Sequence, residues 1–548
     1  MRKDCVVITQ APEMNYLLDY VALPKNYGES SYFERADVKA IYKAVYDNLN
    51  QLDERIRFTE TLGQYKHILL KPNLVSVYHN CGMEKNDYPE STDPRVFDTI
   101  VSYFMQYNKN VIIIESSGKP MPTMTSFRVS GLDRIAKFYD IGLIPLETQC
   151  VNRYILPKAE VMREVYIPHI LEEVINGESY YVSVPKLKTN LYTKVTLGFK
   201  NAMGTIPYFL RERNHNYYIN KKLADLLYLF TPNLVIIDGI IGGEGNTPAP
   251  VDPVEVGVII SGNNSVEVDK VGTKIIGYDP ERIPLIQEAV ARGFASDDVE
   301  IIGEKAPCDF RRANASLMDD EFHEKFPNVE VLAGHNLAHA PRITSINQVT
   351  KEVARELEMA CDGGCLAALR SGFDYVIYSP KPKYDFPLIV VVGGGVLIDG
   401  VRYWFDREGK AFSEDEVRQS QKPILTLGNC ALVLKDVAKY RTDGCCSPSA
   451  CMLAVTAAAG IPFPLLSLKN KSFIDLGLTL VGVVLKRSYL IAIGHWVDCP
   501  SEHIDKIYEV PDLSDTDMQK DFLEWPLPKM SWQLKWRLIK NQFGILKI

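Results

Sequence analysis

The chain is poor in histidine and has no basic excess. Its 548 residues hold nine histidines, 61 lysines and arginines and 69 acids, for a net charge of −8. General nucleic-acid binding needs a basic footprint, so nucleic acid is excluded as a partner class. No apolar segment of signal-peptide type follows the start, MRKDCVVITQAP, which reads as a strand. Long hydrophobic runs are also missing. The most apolar late stretch is LGLTLVGVVL, 476–485, bounded by Asp475 and by Lys486–Arg487. Ten residues are too few to cross a bilayer as a helix. These absences give the expectation of a cytoplasmic location, where thiols stay reduced. The eleven cysteines lack the spacing of a ferredoxin run or a regular zinc knuckle. No internal repeat or low-complexity tract is evident.

What is present is an ordinary globular composition, 46% hydrophobic and 24% charged. The length suggests roughly two to four domains. Over 1–300, short apolar runs (CVVIT, HILLKP, NVIIIESSG, YYVSVPK, NLVIIDG, VGVIISG) alternate with helical patterns such as VKAIYKAVYDNLNQL and PRVFDTIVSYFMQY. That alternation predicts an α/β fold with a mostly parallel sheet flanked by helices. Residues 301–345 are polar and mixed and read as a connecting segment. Residues 346–500 read as a second α/β lobe that carries cysteines, with TKEVARELEMA as a helix, CLAALRSGF as a helix start and FDYVIYS, PLIVVVGG and ILTLGN as strands. The Gly393–Gly395 run precedes more strand, which argues against a dinucleotide fingerprint. Residues 501–548 form a tail with a basic amphipathic helix.

One stretch stands out against the acidic background. VPKLKTNLYTKVTLGFKNAMG, 184–204, carries four lysines and no acid. Pro185 closes the preceding strand because it has no N–H to give a ladder. Lys186 and Lys188 then share a face of extended backbone. Many polar residues of this half follow strands, where ligands gather in α/β sheets: Lys71-Pro-Asn73, Ser116–Ser117, Lys186 and Asp238. A substrate-binding site for a small anionic metabolite is therefore expected from Lys71, Asn73, Ser116, Ser117, Lys186, Lys188, Lys200 and Asn201, with Lys194 in solvent. The bland alternative is a solvated surface.

The pieces LLKPNLV (69–75), STDPRVFDTIV (91–101), IIIESSG (112–118), 184–204, NLVIIDGIIGGEG (233–245) and SGNNSVEVDKVG (261–272) resemble the family called domain of unknown function 362, over roughly residues 60–280. The resemblance implies that the lysines form a site; it implies no settled activity. Where many members carry a Lys-Thr-His pattern, this chain has Lys188-Thr189-Asn190, so a role for that imidazole is absent or moved, with His215 as the candidate. Many members also carry a ferredoxin-like insert, and this chain has none.

Asp238 ends a strand and Glu244 sits in the following glycine-rich turn. Both are catalytic candidates, to hold Mg²⁺ or move a proton; the alternative is an Asx-turn at Asp238. His215, in the polar loop RERNHNYY, is the third, against a plain surface histidine. Cys361, Cys365, Cys430 and Cys445 or Cys446 fall in loops that converge on one sheet edge, which suits four thiolates around an iron–sulfur cluster or zinc. Core or free thiols are the alternative, and Cys451 reads as core. In the last twenty residues Trp532, Trp536, Ile539 and Phe543 form one helical stripe. That stripe docks on a core or protein partner, or lies on a membrane surface as a peripheral partner. Three functions stay open: an iron–sulfur enzyme or redox protein with a redox partner and an anionic substrate, a non-redox or metal-assisted metabolite enzyme with structural cysteines, and a membrane-peripheral scaffold.

Overall fold

The computed structural model describes residues 3–118, 121–211, 218–335, 337, 340–361, 364–442, 444, 448–497 and 511–544. His215, Cys445 and Cys446 lie outside them. The α/β class is as expected, with mostly parallel sheets flanked by helices and a helical C-terminal region.

The first sheet grows from the Val-, Ile- and Leu-rich runs that the sequence spaces between helices. Eight of its strands follow in the order Val299–Ile302, Asp4–Gln10, Asp252–Gly262, Leu234–Glu244, Tyr180–Val184, Ile68–Pro72, Val111–Glu115 and Gly142–Pro145. The last five run parallel. Ile68–Pro72 and Tyr180–Val184 are buried along their whole length, as expected of parallel strands covered by helices on both faces. The helix Pro94–Phe104 shows how locally this is written. Asp93 caps it by accepting from Arg95 N at 2.9 Å, and Pro94 takes the first helical position, where no N–H is needed.

The second sheet runs Val396–Ile398, Val401–Phe405, Val329–Ala333, Leu388–Val392, Ile424–Leu427 and Tyr440–Thr442, with Ala411–Ser413 beside Val401–Phe405. Val329–Ala333, from the stretch read as connecting, is a central parallel neighbour of Leu388–Val392. The glycines at 393–395 do lead into strand. The lobes touch through a buried hydroxyl pair, Tyr78 and Tyr375, and through Asp252, which accepts from Tyr378 Oη at 3.0 Å and pairs with Arg311 at 2.7 Å.

Two sequence readings need correction. FDYVIYS is not a strand, because the helix Cys365–Ile377 runs through it. Phe373, Tyr375 and Val376 are buried in that helix, so packing overrides the strand preference of aromatic and β-branched side chains. The run 476–485 is not a ten-residue segment, because it lies within the 21-residue helix Phe473–Ile493. Lys486 and Arg487 do not end this helix. Arg487 is buried and stacks over the Trp496 ring at 4.7 Å, so its charge is housed inside the fold.

Candidate functional site

A small cavity opens at the carboxyl ends of the central strands of the first sheet. Lys71 sits near the end of Ile68–Pro72, Glu115 ends Val111–Glu115, and Lys188 lies on Lys186–Asn190, which continues past Pro185. Lys200 and Asn201 come from the 3₁₀ turn Lys200–Thr205, and Arg211 from the short helix Tyr208–Arg211. The space open to water-sized atoms is about 40 Å³, enough for a few water-sized atoms.

The lining is held by a chain of hydrogen bonds. Lys71 Nζ donates to Glu115 Oε2 at 3.0 Å and to Asn201 Oδ1 at 2.9 Å. Asn73 Nδ2 donates to the same Asn201 oxygen at 3.1 Å, and Lys188 Nζ donates to Asn73 Oδ1 at 2.7 Å. Lys188 Nζ also reaches the Glu90 carbonyl. The two asparagines therefore orient two ammonium groups. Arg211 Nη2 donates to the carbonyls of Ser116 and Ser117 at 2.7 and 2.9 Å, and Ser116 Oγ accepts from Tyr208 N at 3.0 Å. Ser117 Oγ turns away to Ser126 and does not line the cavity.

The loop that carries Lys200 is anchored from behind. The Asp269 carboxylate, on the helix Ser265–Ile275, accepts from Gly198 N at 2.6 Å and Phe199 N at 3.3 Å. Gly204 is needed for close approach. A Cβ there would lie 2.5 Å from Glu115 Oε1 and 2.6 Å from Lys71 Nζ. Gly204→Ala is expected to lower stability by about 1–3 kcal/mol through overpacking, read as a lower urea midpoint at unchanged m-value.

Electrostatically the cavity is unbalanced. Among the described residues, Lys71, Lys188 and Lys200 line it with one carboxylate, Glu115, and Arg211 stands at its edge. Among the described residues no acid pairs with Lys200, which is half-buried. Burial lowers the Lys188 ammonium to about 7, with Lys200 and Lys186 adding to the effect against Glu90. Burial and the cations Arg211 and Lys71 lower Lys200 to about 7. Glu90, behind Lys188, supplies little compensation, since burial raises its carboxyl to about 8. Among the described residues its Oε2 has no hydrogen-bond partner.

The remaining expected residues are elsewhere. Lys186 points away from the cavity and pairs with Asp238 at 2.8 Å, both side chains fully buried. Asp238 Oδ2 also accepts from Asp93 N at 2.7 Å, which ties the pair to the start of Pro94–Phe104. Burial lifts the Asp238 carboxyl above the usual range, against the pull of Lys186. Glu244 accepts from Arg311 N at 2.7 Å and does not line the cavity. Lys194 is half-buried with φ 67°. Cys361 is half-buried, Cys365 buried and Cys430 exposed, while Cys451 is core as expected. Among the described residues no three His, Cys, Asp or Glu side chains are grouped to hold a metal ion.

Reading the sequence missed Glu90, Glu115, Asn190 and Arg211. Glu115 had a usable signal, since it ends a strand just as Asp238 does. Arg211 had none, because only the fold brings it to Ser116.

A thylakoid-associated protein of Synechocystis sp. is 31% identical over 109 residues, which is 19% of this chain and 34% of that protein. The chain thus spans about a third of that relative's length. No solved structure matches the chain. Residues 68–274, which supply the cavity's strands and the anchoring Asp269, match the family described as Domain of unknown function (DUF362), in agreement with the resemblance read from the sequence.

Proposed function

We propose that this chain binds a small oxyanion, carboxylate or phosphate in class, in the lysine cavity, as the substrate-binding step of a metabolite enzyme. One observation carries the reading: among the described residues, Lys71, Lys188 and Lys200 line a partly open cavity with one carboxylate, Glu115. A buried charge without a partner is strongly unfavourable. An anion seated between Lys188 and Lys200 supplies the missing partner and gives each ammonium a charge-assisted hydrogen bond. Lys71 and Glu115 then act as a fixed, charge-balanced wall, and Asn73 and Asn201 keep the donors aimed. Lys200, its ammonium lowered to about 7 and with no carboxylate on it among the described residues, is the group suited to hold or release a proton beside the bound anion.

The pH dependence follows from the sign of the shift. In the empty cavity Lys188 and Lys200 lose their protons as pH rises through about 7. The anion favours the protonated forms, so affinity is highest below that value and falls above it. The fall approaches about tenfold per pH unit for each lysine that must be recharged. Titration calorimetry with sulfate, whose own charge is constant over this range, measures it. Sulfate affinity that is flat or rising from neutral to alkaline pH contradicts the reading.

A further inference from the structure

The helix Phe473–Ile493 leaves one long side uncovered. Leu476, Val483, Val484, Leu490 and Ile491 face the protein body and are buried. Ile474, Leu478, Val481, Leu485, Tyr489 and Ile493 are exposed, the first two by 74% and 70%. Successive members lie three or four residues apart, which places them on one stripe. At 1.5 Å per residue the stripe runs for about 30 Å. Singly scattered apolar side chains need no explanation, but a continuous apolar stripe does.

The C-terminal helix extends the same surface. Trp532–Gly544 packs on Phe473–Ile493, with Lys535 Nζ donating to Ala492 O at 2.8 Å. Leu538 and Gln542 form its buried side, whereas Trp532, Trp536 and Phe543 are exposed. The aromatic members of the stripe expected from the sequence thus face outward, while Ile539 is half-buried against the core. Charge is one-sided too. The two helices carry exposed Lys486, Arg537 and Lys540 and half-buried Lys535, and their one acid, Asp475, is neutralised by Arg128 at 2.5 Å.

We propose that this two-helix face lies on an anionic lipid surface, its apolar stripe and two tryptophans in the interfacial layer and its basic side chains on the headgroups. By length and composition Phe473–Ile493 could cross a membrane. Its fixings to the body favour lying flat. Asp475 is bound to Arg128 near one end, Arg487 is stacked on Trp496, and His495 O accepts from Val151 N at 3.1 Å just past the other. A second copy is the competing occupant. A two-fold pairing would set like charges of the two copies against each other, whereas anionic headgroups complement them.

The test is flotation of the full chain with vesicles of phosphatidylcholine plus phosphatidylglycerol, and of phosphatidylcholine alone. The chain is expected to float with the mixed vesicles and to bind the neutral ones more weakly, with a blue shift of tryptophan emission. Leu478→Glu with Leu485→Glu, at exposed positions, is expected to weaken binding about tenfold or more. Arg537→Glu with Lys540→Glu is expected to weaken binding to the mixed vesicles selectively, and supplies a second test should the first variant misfold. Failure of the native chain to bind either vesicle, or undiminished binding by the folded variants, overturns the proposal. So does a dimer in lipid-free buffer that the leucine variant converts to monomer, which gives the face to a second copy.

Discussion

Lys188→Met is expected to weaken sulfate binding about a hundredfold while the protein stays folded. The ammonium lies on a continuous buried strand, and its neighbours Asn73 Oδ1 and the Glu90 carbonyl already fix its direction. A charge-assisted hydrogen bond contributes about 1.5–3 kcal/mol, which is roughly 10- to 150-fold in affinity. The low dielectric of a buried cavity puts Lys188 toward the upper end. Methionine matches the length of the stem and keeps the packing. It leaves two acceptors without a donor, at about 1–3 kcal/mol each, but it also removes a buried cation whose ammonium is already depressed to about 7. These effects oppose each other, so the loss of affinity exceeds the change in stability. Calorimetry gives the first and urea unfolding the second. Comparable affinity for the variant and the native chain would remove Lys188 from the site.

Asp238→Ala is expected to act the other way round, with a large loss of stability and little direct effect on the anion. Its carboxylate holds fully buried Lys186 at 2.8 Å and the backbone N–H of Asp93 at 2.7 Å. Removing one partner of a buried pair costs about 3–5 kcal/mol, because the other charge is left in the interior. Native domains hold only about 5–15 kcal/mol in all, so this is a severe change. Asp238→Ala with Lys186→Met should recover a good part of it, since an apolar replacement of both partners is often neutral. Urea unfolding of the two single variants and the double variant measures the coupling. A single variant as stable as the native chain would show that the pair does not hold the strand ends together.

These two residues show what could be read ahead of the structure. Both lysines of VPKLK were legible as cations at a strand end, because Pro185 closes the strand before them; that they are buried was not legible. Which of them lines the cavity was not legible. That depends on the parallel pairing of Lys186–Asn190 with Leu234–Glu244, which sets Asp238 directly beside Lys186. Asp238 likewise had the look of a catalytic strand-end acid, and only the pairing shows its carboxylate occupied. Lys71, Asn73 and Asn201 were legible together because each lies in a lysine–asparagine neighbourhood next to a strand end or turn. Arg211 was hidden, as it belongs to a four-residue helix with no periodic pattern to announce it. The outward stripe of Phe473–Ile493 was hidden for another reason. Lys486 and Arg487 broke the apolar run in sequence, while in space Arg487 is folded away.

On the proposed reading an anion binds the protonated forms of Lys188 and Lys200, so proton uptake accompanies binding. Calorimetric titration of the native chain with sulfate at mildly alkaline pH, in buffers of different ionisation enthalpy, gives the protons taken up per anion bound. With Lys188 and Lys200 lowered to about 7 when empty, net proton uptake on binding is expected, reduced in Lys188→Met and in Lys200→Met. Sulfate binding with no proton uptake, or uptake unchanged in both variants, would contradict it.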